Sequence, residues 1–351
     1  IIEEVLRIYG FDKIPLPSRM TSTAQHQSGV SEEPIRLQMA NVLVSRGFQE
    51  IMSNSMTRAS HTEDFGENSD GWDHNRQIAL LNPLSSDLGV MRQSLLFQGL
   101  EAIAHNRNHQ RPDLRFFEIG RTYQHRETVN SETNNASDRY EEDERIGLWM
   151  TGKTNPENWT NAGESSTPYS LKTEAYALLD GLGISSAAVK ESAFQSPLFA
   201  EGIELTYQNQ MLGRLGLIRK TVAKKHGVNQ SVFWADFSVA TLTKISRRKR
   251  VKAREIAKFP AVRRDLSLIL DKGTTFGQLR DCAAKAEKKL LKRVGLFDVY
   301  EGDKLADGEV SYAISLTLQD PDGTLNEKQI ERSVQRILSK ITEETGARLR
   351  E

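Results

Sequence analysis

Four polar side chains with the chemistry of a binding cleft lie within residues 77–123. Asn82 and Ser85 stand in an Asn-Pro-Leu-Ser-Ser stretch typical of a turn, whereas Arg92 and Glu118 stand beside longer apolar segments. An amide, a hydroxyl, a guanidinium and a carboxylate could together line a cleft if the fold brought these turns to one place. The functional question therefore starts with this stretch.

The same stretch predicts the elements that must position these side chains. Residues 78–81 are a short apolar run, typical of a strand that ends at the Asn-Pro turn. From Gln93 apolar residues recur at helical spacing, and Pro112 ends that helix because a residue before proline is pushed out of the α region. Residues 114–119 are typical of a buried strand closed by Gly120. Strand, turn, helix and strand indicate a core built on a sheet.

Other segments before residue 243 predict further elements. We expect helices at 31–46 and 170–181, strands at 48–56 and 231–242, strands within 196–218 with turns at Gly202 and Gly213, and loops at 62–76 and 125–144. The last loop is almost devoid of apolar residues, and solvation is the simplest explanation of its acidic run at 141–144.

The segment from Gly147 to Thr154 matches the phosphate-loop pattern G-x-x-x-x-G-K-[ST] letter for letter. A phosphate cradle needs a flexible loop with exposed backbone N–H groups and a helix that starts after the lysine. Here Leu-Trp-Met occupies the loop positions and Asn-Pro-Glu-Asn follows soon after Lys153, so the context is a strand followed by a turn. The match therefore predicts no nucleotide site.

Metal and covalent chemistry have weak support in the sequence. His105 and His109 have the i,i+4 spacing that zinc can use, but Asn106 stands where a zincin-type glutamate would be. Chance spacing explains the pair better, and the seven histidines form no convincing ligand set. Neither a G-x-S-x-G elbow nor a G-x-G-x-x-G turn occurs, which leaves hydrolase and dinucleotide-binding functions without support.

Composition excludes several classes of protein. The 351 residues include 47 basic and 47 acidic side chains, so contact with nucleic acid must depend on local charge. Cys282 is the single cysteine, which excludes an intramolecular disulfide and indicates a reducing compartment, so we predict a cytoplasmic protein. No apolar run approaches the ~18 residues of a membrane span. The first residue is Ile1, and we expect a piece of a longer polypeptide.

Two charged segments each have a plain and a functional interpretation. Residues 244–258 carry eight basic side chains against Glu255 alone, which is usually a solvated linker, with polyanion contact as an equal alternative. Near the first residue, Glu3 and Glu4 lie on a predicted helix. Their spacing favours a solvated face in which Glu3 pairs with Arg7, whereas adjacent carboxylates could also supply oxygen ligands to Mg²⁺.

Residues 259–351 give the clearest element pattern of the chain. We predict strands at 263–270, 295–300, 310–318 and 347–350 and helices at 276–294 and 326–345, a ferredoxin-like order β-α-β-β-α-β with both helices on one sheet face. RNA-recognition modules use the other face, but with aromatic side chains, and here only Tyr300 offers a ring. The residues expected on that face are small and polar: Asp265, Ser267, Ser311, Ser315 and Thr317.

Three groups of motifs resemble one family, the phenylalanyl-tRNA synthetases. K-F-P-A-V-R-R-D-L-S-L at 258–268, L-F-D-V-Y-E-G at 296–302, S-Y-A-I-S-L-T-L-Q-D at 311–320, T-L-N-E-K-Q-I at 324–330 and G-A-R-L-R at 346–350 resemble its ferredoxin-fold anticodon-binding domain. N-P-L-S at 82–85, M-R-Q-S-L-L at 91–96 and F-F-E-I-G-R at 116–121 resemble the catalytic-like core of the bacterial β subunit. Residues 1–15 resemble the end of its B5 domain.

The resemblance implies an α+β fold with a class II synthetase-like antiparallel sheet core and a ferredoxin-like βαββαβ domain. The end of B5 would occupy 1–17, the core 18–243, a basic linker 244–258 and the anticodon-binding domain 259–351. It implies a non-catalytic core, because the acid–arginine pair that grips ATP is missing around Ile218 and Arg219. The family's His-Pro at this corner is Arg219-Lys220 here, so that corner can be shaped differently. The editing domain lies upstream in the family's β chain.

The resemblance also implies partners and cofactors. The chain would scaffold the α subunit of an α₂β₂ ligase that joins phenylalanine to tRNA-Phe, with ATP bound by the α subunit only and no membrane contact. Mg²⁺ would be shared with α through a D-x-x-E-E motif whose glutamates fall on Glu3 and Glu4 and whose aspartate would precede Ile1, so the site is incomplete here. Predicted tRNA contacts are Lys258, Arg264, Tyr300, Arg348 and Arg350.

Two alternatives stay open on the sequence. An autonomous class II-type adenylating enzyme would use the cleft between Asn82 and Glu118, and a purely structural interaction subunit would make no RNA contact. Whether side chains fill the cleft near Glu118 would separate the first alternative from a non-catalytic core.

Overall fold

The computed structural model describes residues 1–15, 19, 33–65, 72–126, 136–248, 255–303 and 305–350. The chain divides into two compact units, Ile1–Val251 and Lys252–Glu351. No helix in the described ranges is both long and apolar enough to cross a bilayer. The Ser31 end of the second predicted helix and residues 249–254 of the basic segment lie outside the described residues.

The first unit is built on a seven-stranded sheet with the order β1-β4-β5-β9-β8-β7-β6. Neighbouring strands pair antiparallel except β1, which runs parallel to β4. A small second sheet pairs β2 with β3. The strands are β1 Gln49–Glu50, β2 Met56–Thr57, β3 Val90–Met91, β4 Leu114–His125, β5 Tyr140–Thr151, β6 Lys190–Phe194, β7 Phe199–Tyr207, β8 Gln210–Ile218 and β9 Val232–Ser238.

Helices pack on both faces of this sheet. Thr167 and Ser170 form a reciprocal capping box that fixes the start of one helix, and Pro168 occupies its first turn. The helices of the unit are α1 Ile2–Tyr9, α2 Glu33–Ser45, α3 Leu96–Asn108, α4 Pro168–Gly181, α5 Lys220–Lys225 and α6 Val239–Arg248.

Strand β9 shows that both sheet faces are buried. Its first six residues are all buried, as expected for a strand covered on two sides. Phe233, Ala235 and Phe237 pack into one apolar cluster with α2, α4 and α6. Val232 and Trp234 pack into the other, which includes α3. Helix α3 lies so close that a Cβ on Gly99 would come within 2.1 Å of Trp149 Cε2.

Several strand predictions around the central stretch are wrong. Residues 78–81 form no strand and contribute only an isolated bridge from Ala79 to Val90. The predicted strand at 48–56 reduces to β1 and the first residue of β2. Strand β4 continues through Gly120 to His125, because it pairs residue for residue with β5 over this length. The loop predicted at 62–76 contains short 3₁₀ helices and the buried side chains of Phe65 and Trp72.

The acidic run at 141–144 is also not a loop, because it begins strand β5. Carboxylates tolerate this position since each has an arginine partner, and the side chains of Glu141 and Glu142 are also partly exposed to solvent. The pairs are Arg76–Glu141, Arg121–Glu142, Arg145–Asp143 and Arg36–Glu144. Spacing along one segment cannot show partners that lie on other elements.

The turn between β7 and β8 lies at Gln208-Asn209, not at Gly202 or Gly213. Both turn residues have positive φ, 49° and 61°, as a two-residue hairpin of the I′ type requires. Gly213 lies inside β8, where a Cβ would come within 2.2 Å of the Asp236 carbonyl oxygen. The strand predicted at 231–242 ends at Ser238, where α6 follows.

The second unit confirms the ferredoxin-like order. Its antiparallel sheet has the order β11-β12-β10-β13, and one apolar cluster joins the sheet to both helices. The first helix is shorter than predicted because buried Glu287 accepts hydrogen bonds from the N–H groups of Lys289 and Leu290 and turns the chain into a strand. The elements are β10 Val262–Asp271, α7 Phe276–Ala286, β11 Leu291–Tyr300, β12 Glu309–Leu318, α8 Glu327–Thr345 and β13 Arg348–Leu349.

Candidate nucleic-acid interface

The second unit's sheet has one face without helices, called the open face below. Along β12, Ile314 and Leu316 are buried in the core, so the alternate residues Ala313 and Ser315 lie on the other side. The register places Ser267 of β10 opposite Ala313. Small side chains at the centre of the open face let a planar ligand approach the backbone closely.

Two arginines lie over aromatic rings on this face. The guanidinium carbon of Arg263 is 5.1 Å from the centre of the Phe297 ring, and that of Arg350 is 5.0 Å from the centre of the Tyr300 ring. These distances are within the range of a cation–π contact. Phe297 is 54% exposed, which is unusual for a phenylalanine in a folded unit.

A bulge in β11 brings Tyr300 to the same face as Phe297. Leu296 pairs with Ile314 and Asp298 with Ala313, so one extra residue stands between two consecutive partners. The Phe297 ring contacts Arg263, whose Nε also donates to Asp265 Oδ1 at 2.7 Å. Because Leu296 packs against the core, alternation alone places Phe297 on the open face, and this signal in the sequence was missed, as was Arg263 on β10.

The predicted tRNA contacts separate into two sets. Tyr300 and Arg350 meet on the open face, where Arg350 Nη1 lies 3.4 Å from Ser311 Oγ. Arg348 is exposed and pairs with Glu309 at 3.0 Å. Arg264 instead pairs with Glu327 in the first turn of α8, at 2.6 Å, on the helix side of the sheet.

Lys258 lies just before β10 and is exposed. At the other end of the basic segment, Lys244 and Arg247 extend from α6 as exposed residues. Within the described part of this segment, these cations remain accessible to a polyanion.

The four polar groups proposed for the core cleft do not come together. Asn82 and Ser85 are exposed. Arg92 and Glu118 are buried, each with a side chain 3% exposed, and Arg92 Nη1 lies 2.8 Å from Glu118 Oε1. Glu118 Oε2 accepts from Ser53 Oγ at 2.6 Å, and Arg92 Nε donates to the Arg121 carbonyl at 2.9 Å.

Gly120 completes the closure of this cleft. A Cβ there would lie 2.4 Å from Arg92 Nη2 and 2.9 Å from Glu118 Oε1, so the backbone of β4 packs directly against the ion pair.

A second buried ion pair stabilises the neighbouring strands. Arg145 donates to Asp236 of β9, through Nε at 3.3 Å to Oδ1 and through Nη2 to Oδ2, and its Nη1 reaches Asp143 at 3.0 Å. Burial opposes the charge of Arg145, but the two carboxylates outweigh it and raise the guanidinium pKa. These charges hold strands together and present no reactive group.

The phosphate-loop match is confirmed as a chance resemblance. Residues up to Thr151 belong to β5, and Gly152 makes a turn with φ +75°. Lys153 Nζ pairs with Glu157 at 2.8 Å, and that hydrogen bond is the main cause of the raised pKa of the lysine. No helix begins after Lys153 within the described segment 136–167.

Glu3 and Glu4 lie exposed in the first turn of α1. The predicted pairing of Glu3 with Arg7 is replaced by a pair between Arg7 and Glu4, with Nη2 and Oε2 2.8 Å apart. Mg²⁺ prefers a near-octahedral shell of oxygens. These two carboxylates therefore supply only part of such a shell.

Comparison with known families agrees with the two units. The model described as phenylalanyl tRNA synthetase beta chain CLM domain matches residues 16–239, and the model described as ferredoxin-fold anticodon binding domain matches residues 257–350.

Individual relatives match along the whole chain. The phenylalanine–tRNA ligase beta subunit of Bacteroides fragilis is 38% identical over 100% of this chain, and that of Porphyromonas gingivalis is 35% identical over 100%. The chain spans 42% of the length of each relative. Among solved structures, pyrrolysyl-tRNA synthetase from Desulfitobacterium hafniense gives a TM-score of 0.47 at 13% identity, covering 64% of this chain and 72% of that chain. The chain belongs to the phenylalanyl-tRNA synthetase beta chain family.

Proposed function

We propose that this chain binds the anticodon region of tRNA-Phe through the open face of its second unit. In this proposal it is a non-catalytic part of a phenylalanine–tRNA ligase β subunit. The observation that carries the proposal is the pair of arginine–ring contacts, Arg263 with Phe297 and Arg350 with Tyr300, on a face with no helix over it.

The chemistry of this face suits unpaired bases. Sequence-specific RNA modules stack splayed bases on aromatic rings and on guanidinium planes, and each stack is worth about 1–3 kcal/mol. Phe297 and Tyr300 supply the rings, and Ser267 and Ser315 supply small hydroxyl groups on the same face. An anticodon loop offers unpaired bases of this kind.

Phosphate contacts would come from arginine and lysine side chains near the open face. Because the chain as a whole has no net charge, the attraction to phosphate groups must come from local cations. Lys258 and the basic residues of 244–258 precede the sheet, and Arg348 lies at its edge. Binding through such groups weakens steeply as salt rises, since each neutralised phosphate releases a counterion.

The closed core supports the non-catalytic part of the proposal. Glu118 and Arg92 are buried as an ion pair inside the protein, so neither is exposed to hold ATP. We infer that ATP binds to an α subunit only and that this core serves as its scaffold in an α₂β₂ complex. In that complex Glu3 and Glu4 would contribute to a shared Mg²⁺ site, completed by ligands from elsewhere.

The test is tRNA-Phe binding by the 351-residue chain with Phe297→Ala and Tyr300→Ala. Each substitution should weaken binding by about 1–3 kcal/mol, or roughly 5- to 150-fold. Arg332→Ala is the control for a change elsewhere on the second unit, because Arg332 is an exposed cation on α8, away from the open face. Trp159→Ala is the control for exposed rings, since Trp159 is 97% exposed in the first unit.

Equal losses in the controls and in the open-face variants would contradict the assignment of this face. Binding that is unchanged between low and high salt would contradict the phosphate contacts. ATP–pyrophosphate exchange by the isolated chain would establish the rival function of an autonomous adenylating enzyme.

A further inference from the structure

Three side chains of the kind that bind transition metals meet in the first unit. His61 lies in the 3₁₀ helix Ala59–Phe65, Glu101 on α3, and His226 directly after α5. One ligand atom of each lies within 4.8 Å of the others. The segments that carry them are far apart in sequence, so only the folded chain brings these ligands together.

The spacing of these atoms is close to that of a zinc site. His61 Nε2 and Glu101 Oε1 are 3.6 Å apart. Tetrahedral zinc with bonds of about 2.05 Å separates its ligand atoms by about 3.4 Å. The rings of His61 and His226 have centres 4.9 Å apart and planes inclined at 66°, and one nitrogen of each lies within 4.8 Å of the other and of a Glu101 oxygen.

The surroundings hold both imidazoles in place. Thr57 Oγ1 lies 2.7 Å from His61 Nδ1. A hydrogen bond from Nδ1–H to this hydroxyl leaves the Nε2 lone pair directed away from it, which is the usual arrangement of a metal-binding histidine and its outer partner. The buried Phe97 ring lies 4.9 Å from His61 and 5.1 Å from His226, centre to centre, and supports both.

Glu101 supplies the anionic ligand and lies beside a cavity that is open to solvent. Arg58 is paired with Asp87, with Nε and Oδ1 3.2 Å apart. Glu101 and Thr57 line this cavity, which has a volume of about 420 Å³, so the site can be reached from the side of the carboxylate, whereas neither His61 nor His226 lines the cavity.

We propose that His61, Glu101 and His226 bind a divalent transition metal, for which Zn²⁺ is the best match. Two imidazole nitrogens and one carboxylate oxygen are a ligand set that zinc uses in proteins, with a further position left for water. Such an ion would tie the 3₁₀ helix to α3 and to the end of α5. The three ligands belong to the first unit, and none of them is among the proposed tRNA contacts.

The test is Zn²⁺ titration of the 351-residue chain by calorimetry, with Co²⁺ absorption as a report on ligand geometry. We expect one ion per chain and the visible bands of tetrahedral Co²⁺. Glu101→Gln and His226→Gln should each weaken binding at least tenfold. Thr57→Val, which removes only the hydroxyl partner of His61, should weaken it about 10- to 100-fold.

His109→Gln is the matched control. It removes one exposed histidine of the i,i+4 pair with His105 and leaves the three proposed ligands in place, so affinity should not change. Tryptophan fluorescence in urea should show that each variant is still folded. Absence of binding to the unmodified chain, unchanged affinity in both Glu101→Gln and His226→Gln, or loss in His109→Gln would each overturn the proposal.

Discussion

The two large sheets of this chain differ in how many of their faces are covered. The seven-stranded sheet has an apolar cluster on each face, and β9 between them is buried along six consecutive residues. The four-stranded sheet has one such cluster, and its strand β10 alternates between core and surface over much of its length. Of these two sheets, the four-stranded one has a face that the described apolar clusters leave uncovered.

The arginines follow the same division. In the first unit Arg92 and Arg145 are paired inside the protein with Glu118 and Asp236. In the second unit Arg263 lies over a ring at the surface with a side chain that is 58% exposed. A buried arginine in the first unit thus stabilises the fold, whereas an exposed arginine in the second unit is available to a ligand. The extent of burial decides between these two roles.

The largest expected effect of this difference is on stability. Glu118→Ala leaves Arg92 buried without its carboxylate, and breaking a buried pair in this way costs about 3–5 kcal/mol. Arg263→Ala removes an exposed cation and should cost less than about 0.5 kcal/mol. Urea unfolding of the first unit can be followed by fluorescence, because all four tryptophans lie in it.

Unfolding of the second unit needs a separate probe, and Cys282 provides one. It is the single cysteine, it is buried on α7, and a thiol reagent reaches it once the unit opens. A loss below about 1 kcal/mol for Glu118→Ala would mean that water or another group replaces the carboxylate, and the core would not be closed as described.

Local patterns in the sequence predicted those elements whose signals are local. Apolar spacing and caps predicted α3, α4 and α8, because a helix buries residues only a few positions apart. The strand at 141–151 was missed at its acidic start, because the arginines that pair with those acids lie on other elements. The sequence carries no sign of such pairs.

The candidate sites were also only partly predictable from local sequence. Tyr300 and Arg350 could be chosen from motifs, whereas the contacts of Arg263 with Phe297 and of Arg350 with Tyr300 depend on how the strands are aligned. The histidine pair suggested by spacing, His105 and His109, lies exposed at the end of α3. The grouping of His61 with His226 depends on the tertiary fold, so no spacing rule could predict it.

A smaller effect on the free energy of unfolding is expected from glycine-to-alanine changes, because helices approach the two sheets at different distances. In Gly99→Ala on α3 the new Cβ would meet Trp149 at 2.1 Å, and overpacking of this kind costs about 1–3 kcal/mol. In Gly277→Ala on α7 the nearest atom is Thr275 Oγ1 at 3.7 Å, an ordinary contact. That change should stabilise the second unit by up to about 1 kcal/mol, since alanine favours helix.

Both changes in stability can be measured as unfolding midpoints in urea. Fluorescence reports on the first unit, and Cys282 labelling reports on the second. If Gly99→Ala lowers the free energy of unfolding no more than Gly277→Ala does, α3 can move away from the core sheet. The contrast between the tightly covered sheet and the half-open one would then be lost.

The smallest expected effect concerns acid stability of the second unit, where charges are paired at the surface rather than inside. Hydrogen bonds from the Cys282 thiol and from Lys340 lower the pKa of Glu344 from 4.5 to about 2. In the unfolded chain this carboxylate takes up a proton near pH 4.5, whereas in the folded unit it stays ionised, so folding is favoured above pH 4.5. That contribution declines as the pH falls from 4.5 toward 2.

In Glu344→Gln the stability of the second unit should therefore fall less steeply between pH 4.5 and 2, a range called the acid limb below. The stability of the first unit should not change. Cys282 can be labelled under acid with a pyridyl disulfide, which reads the second unit, while fluorescence reads the first in the same sample. At neutral pH the thiol itself should react slowly in the folded state, because burial and then Glu344 raise its pKa to about 11 and keep it protonated. An acid limb as steep in Glu344→Gln as in the unmodified chain would place the titrating group elsewhere and remove the surface cluster around Cys282 as its cause.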